Sequence, residues 1–196
     1  KLWLADQTET KSFLACPTCH SRDVLHHLKK TFVFILTLIG FLSFAQENET
    51  ERIEKFVQSI ESDSTLSESE FDWVELTGIA TDGGGILNVW RKGNQIVKVY
   101  EEIGLSYGRI STTIYFQNGK PIKIIETEEN FRLTNQGVVY DELNEVFRAE
   151  IYVFDWENDK SEVKRIGKRI MSEGNCSNFD YEPIFERAKK AIKDSE

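Results

Sequence analysis

Ile110-Ser111-Thr112-Thr113-Ile114-Tyr115-Phe116-Gln117 and Lys120-Pro121-Ile122-Lys123-Ile124-Ile125-Glu126-Thr127 flank the dipeptide Asn118-Gly119. Both flanks are rich in β-branched and aromatic residues. Asn-Gly supplies the positive φ angles of a type I′ turn, so the segment reads as a β-hairpin. With a two-residue turn, Tyr115 opposes Ile122 and Thr113 opposes Ile124, which places those four on one face. Pro121 cannot donate to a ladder, so the second strand is expected to be an edge or to begin irregularly.

The same signals recur on either side. Ile86–Arg91 and Gln95–Glu101 are joined by Lys92-Gly93-Asn94, a second hairpin. Phe71 to Thr81, with Trp73, Val74, Leu76 and Ile79, reads as a strand after a polar connector, Ser62 to Ser69. From Val146 to Trp156 both alternating sets are apolar: Phe147, Ala149, Ile151 and Val153 on one side, Tyr152, Phe154 and Trp156 on the other. Such a strand is expected to be central and covered on both faces. Glu157-Asn158-Asp159-Lys160 then turns the chain into a strand over Ser161–Ile170. Helical spacing appears only near the ends of this region, in Ile53, Phe56, Val57, Ile60 and in Ile184, Phe185, Ala188, Ala191, Ile192, where Pro183 suits a first turn. The predicted class is α+β: an antiparallel β-meander of about six or seven strands flanked by N- and C-terminal amphipathic helices, both packed on one face.

Ahead of this region, Lys29-Lys30, the apolar run of residues 31–42 and Ser43-Phe44-Ala45 have the order of a secretory signal with cleavage after Ala45. Residues 31–45 as a helix would reach about 22 Å, short of the ~30 Å hydrocarbon core, so a membrane span is not expected once the signal is removed. The expected organisation is an upstream leader of doubtful relevance (1–27), a signal peptide (28–45) and one mature domain (46–196), working in the periplasm or outside the cell. Cys16-Pro17-Thr18-Cys19-His20 matches the c-type haem attachment pattern, and with His26 or His27 it also offers zinc ligands. It lies on the cytoplasmic side of the apolar run and would leave with the signal, so neither cofactor is expected.

Charge and residue types narrow the chemistry. The 196 residues include 33 Asp and Glu against 24 Lys and Arg. From residue 46 onward 30 acidic and 19 basic residues remain, a formal charge of −11, which disfavours nucleic acid as a partner. All three His lie at positions 20, 26 and 27, so the mature region has no imidazole for Ser-His or Cys-His catalysis or for His-ligated metal. Its one cysteine, Cys176, is expected to be buried. Gly83-Gly84-Gly85 lacks the lysine and helix of a phosphate loop and reads as a flexible turn.

No catalytic residue and no metal ligand is therefore assigned. Asp155, Glu157 and Asp159 alternate like calcium-loop carboxylates, but Lys160 stands where glycine is needed, and a solvated turn is the plainer reading. The basic run Lys160, Lys164, Arg165, Lys168 and Arg169 suits an anionic ligand or, more simply, a guarded sheet edge. Glu126, Glu128 and Glu129, with Asp141 and Glu142, offer carboxylates for hydrolysis if two of them converge. Trp73, Trp90, Tyr100, Tyr115 and Trp156 offer an aromatic groove for a small molecule or peptide, against ordinary packing. The expectation is a non-catalytic ligand- or protein-binding module of the cell envelope. The alternatives are a His-independent carboxylate hydrolase and a structural accessory subunit. Carboxylates converging in a concave pocket would favour the enzyme, and an exposed apolar or aromatic patch the binder.

Overall fold

Seven antiparallel strands follow one another in chain order across a single sheet: β1 (Ser67–Asp72), β2 (Gly85–Lys92), β3 (Gln95–Leu105), β4 (Gly108–Gln117), β5 (Lys120–Thr134), β6 (Gly137–Asp155) and β7 (Lys160–Gly167). The computed structural model describes residues 48–195. The expected export signal and the Cys16–His20 motif lie outside the described residues. Three helices accompany the sheet among the described residues: α1 (Glu49–Glu61), the short α2 (Trp73–Thr77) and α3 (Glu182–Ser195), the last preceded by a 3₁₀ turn at Asn178–Tyr181. Among the described residues, no helix is long and apolar enough to cross a membrane.

The two long helices cover opposite faces, not one face as the sequence suggested. The α1 stripe Ile53, Val57 and Ile60 packs on Tyr115 and Tyr152, with Val97, Ile122 and Phe154 around them. The α3 stripe Ile184, Ala188, Ala191 and Ile192 packs on Val99, Ile114, Ile124 and Ile151. The alternation of β4 to β6 explains this arrangement. Ile114, Ile124 and Ile151 are cross-strand partners on one side, while Tyr115 and Tyr152 point to the other, so each side has an apolar row to bury. Asn48 caps α1 by accepting from the Thr50 amide, and Glu49 and Glu51 suit its positive end.

Several local expectations are corrected. The type I′ turn is present, with φ of 53° at Asn118 and 78° at Gly119. A bulge beside Pro121 then slips the register by one, so Tyr115 opposes Lys123 and Thr113 opposes Ile125. The Phe71–Thr81 segment is not one strand. β1 already begins in the supposed connector, at Ser67, and ends at Asp72. The Asp72 side chain accepts from the Glu75 amide to start α2, and Gly78 ends it in the left-handed region. β6 is covered on both faces as expected, but it is sixth of seven rather than central, and it begins nine residues before Val146. Another bulge, between Val153 and Asp155, precedes Trp156, which packs with the α3-side cluster instead of beside Tyr152 and Phe154. Gly83 and Gly104 lie so close that a Cβ on either would come within 2.7 Å of the other's backbone, so the triple glycine closes a backbone contact.

Candidate functional site

Cross-strand register brings three acidic residues to the α3 face. Glu101 on β3 pairs with Thr112 on β4, which pairs with Glu126 on β5, and Glu128 lies one row further along. All three glutamates are buried, Glu128 completely. After β7 the chain folds back over them. The consecutive amides of Ile170, Met171 and Ser172 donate to the Glu128 carboxylate at 2.6–2.9 Å, and the Ser172 hydroxyl adds a fourth bond at 2.5 Å. Burial alone would raise the Glu128 pKa. These donors outweigh it and hold the carboxyl below its ordinary range. Glu128 thus occupies a backbone nest of the kind that holds anions.

The strap so fixed delivers side chains to Glu126. Arg169 donates to it at 2.5 Å, the Tyr181 hydroxyl at 2.6 Å and the Ser172 hydroxyl at 3.0 Å. Burial, then the neighbouring Glu126 charge, push the Tyr181 phenol far up, so it stays a donor. Arg169 also stacks 4.9 Å over the Phe147 ring and lies 3.3 Å from the Cys176 sulfur. Cys176 is buried as expected, at a positive φ of 60°. From α3, Arg187 grips Glu101 with two bonds of 2.7 and 2.8 Å. A cleft of about 200 Å³ opens between these groups, lined by Glu101, Thr112, Glu126, Ser172, Tyr181 and Arg187 among others.

Chemically this is a set of buried anions whose oxygens are engaged by donors. Of the five carboxylates offered from sequence for hydrolysis, only Glu126 and Glu128 come together, sharing Ser172. Glu129 lies on the other face, bonded to Arg109 at 2.5 Å. Asp141 and Glu142 are exposed near the β5–β6 turn, with Glu142 paired to Arg132. Glu101 and Arg187, which complete the cleft, had no motif to reveal them.

The five aromatics are divided between the faces. Trp90, Tyr100 and Tyr115 point to the α1 side, where Lys98 lies 4.5 Å over the Trp90 ring, Tyr100 donates to Glu102 and Tyr115 to Glu61. Burial, followed by the bond to Glu102, pushes the Tyr100 phenol up to about 12. Trp73 is buried against Gly85 with Arg187 6.0 Å from its ring, and Trp156 belongs to the α3-side cluster. Asp155, Glu157 and Asp159 are taken up locally. Asp155 accepts from Asn158, Glu157 pairs with Lys120, and Asp159 accepts from Ser177 and the Asn178 amide, tying the 3₁₀ turn to the β6–β7 turn. In the basic run, Arg165 bonds the Asn175 carbonyl and Arg169 serves Glu126.

A second feature lies at one end of the sheet. β5 and β6 continue beyond both neighbours. Pairing with β4 ends at Asn130, opposite Asn144, and pairing with β7 ends at Phe147, so residues 131–143 form a two-stranded ribbon. Tyr140-Asp141-Glu142 bulge out where Phe131 pairs with Leu143 but Arg132 with Val139. The Tyr140 ring meets Phe131 edge-on at 5.2 Å and remains 67% exposed, and Leu133 is 77% exposed. Thr134-Asn135-Gln136-Gly137 between apolar residues was the signal for this turn. Comparison with known protein families, with curated proteins and with solved structures finds no match to this chain.

Proposed function

We propose that this chain acts after export, in the periplasm or outside the cell, as a non-catalytic binding module that engages a protein partner through the β5–β6 ribbon. The observation that carries this reading is the ribbon itself. A lone two-stranded ribbon is marginal in water, and large apolar side chains left outward at its tip gain free energy only when something covers them. The order of lysines, apolar run and small residues at 29–45 supports export. A carboxylate hydrolase is the second reading, because Glu101 and Glu126 line one cleft. Against it, each of these carboxylates already accepts from an arginine.

The test is recovery of the chain from the envelope fraction of an expressing cell, with N-terminal sequencing, in wild-type and Leu133→Ser/Tyr140→Ser forms. The reading expects a terminus near Gln46 and a stoichiometric protein partner retained only by wild type. Retention of residues 1–27 would overturn the export reading. Equal retention by both forms would overturn the ribbon as the contact.

A further inference from the structure

The meander leaves the sheet open at both ends: among the described residues, no strand pairs with the outer side of β1 or of β7. The two edges differ in charge. β1 carries Glu68, Glu70 and Asp72, all exposed, and no basic residue. β7 and the residue after it carry Lys160, Lys164, Arg165 and Lys168 against the single acid Glu162. Ile166 on β7 is 70% exposed, a large apolar side chain on a strand with an unpaired side.

Charged residues on an edge ordinarily guard it, and here they do so selectively. Two β1 edges repel each other, as do two β7 edges, so pairings of like edges are opposed. A β1 edge meets a β7 edge with attraction instead. We propose that the acidic β1 edge of one copy of this chain adds to the basic β7 edge of a second copy, extending the sheet head to tail. Each junction would supply the hydrogen bonds that the outward-facing amides and carbonyls of β1 lack, with Ile166 partly covered. Because the two contacting surfaces differ, the contact is heterologous and propagates into open chains or closes into rings. This inference does not depend on the ribbon.

The test uses sedimentation velocity of the full chain. At low ionic strength the weight-average mass should rise about twofold or more as concentration approaches the millimolar range, and fall back when salt shortens the screening length. Glu68→Lys/Glu70→Lys makes both edges basic, and Lys160→Glu/Lys168→Glu makes both acidic. Each variant alone should remain monomeric, with circular dichroism like wild type. An equimolar mixture should associate again, because each edge then faces its opposite. A wild type that stays monomeric throughout, association that survives either charge reversal, or a mixture that fails to associate would overturn the proposal. If the variants lose their wild-type circular dichroism, the salt and concentration dependence of wild type decides alone.

Discussion

The body of the sheet and the ribbon that extends from it follow opposite rules. In the body, Leu87, Val89, Val99, Ile114, Ile124 and Ile151 are fully buried, and the glutamates on their face are bonded to arginines, a tyrosine or backbone amides. In the ribbon, Leu133 and Tyr140 are mostly exposed, and the Arg132–Glu142 pair lies at the surface. Structure thus resides in the first region, and the second is free to make contacts. Side-chain changes should separate the two cleanly: stability falls with changes in the body and binding with changes in the ribbon.

The largest loss is expected from Ile114→Ala, about 2–5 kcal/mol in urea unfolding, because a fully buried side chain beneath α3 leaves a cavity. A loss below about 1 kcal/mol would mean that α3 does not close this face. Next comes Glu128→Ala, about 3 kcal/mol, since it strands the amides of Ile170, Met171 and Ser172. The same group sets a pH dependence. Its folded pKa lies below the unfolded value near 4.5, so its contribution is complete above that pH and is lost as pH falls through the lowered folded value. Unfolding of Glu128→Gln should therefore be less acid-sensitive than wild type in that window. An unchanged acid profile would remove Glu128 as the strap's lock.

A smaller loss, about 2 kcal/mol by chemical denaturation, is expected for Glu54→Ala on the α1 side. It removes the nearer of the two carboxylates paired with Lys123, whose side chain is only 6% exposed, and leaves Glu150 at 4.0 Å. Glu61→Ala should cost less, because Lys98 reaches further into solvent. Leu133→Ser/Tyr140→Ser should change stability by no more than about 0.5 kcal/mol. A larger loss would make the ribbon part of the folded body and end the distinction.

The hairpin at Asn118-Gly119, the two long helices and the β-meander were legible because turn chemistry and apolar period are local signals. Strand pairing beyond a bulge was not. Pro121 announced an irregularity, but the direction of the slip depends on how Ile122 and Lys123 share the α1 face. The short α2 was hidden because Trp73, Val74 and Leu76 are good strand formers, whereas Asp72 and Gly78 set its ends. Opposite placement of the helices was implicit in the doubly apolar pattern of Val146–Trp156, which needs cover on both faces. The site was hardest to read. Glu126 and Glu128 stood out only as acids among many, and their partners Arg169, Ser172 and Tyr181 come from the far end of the chain.

The most direct test of the division between body and ribbon is site-specific photo-crosslinking in expressing cells. Crosslinkers replace Leu133 and Tyr140 on the ribbon, with Gln58 on the exposed side of α1 as the comparison. The account predicts a discrete protein adduct from both ribbon positions and none from Gln58. Adducts from Gln58 alone, or none from the ribbon in a folded, correctly located chain, would contradict it.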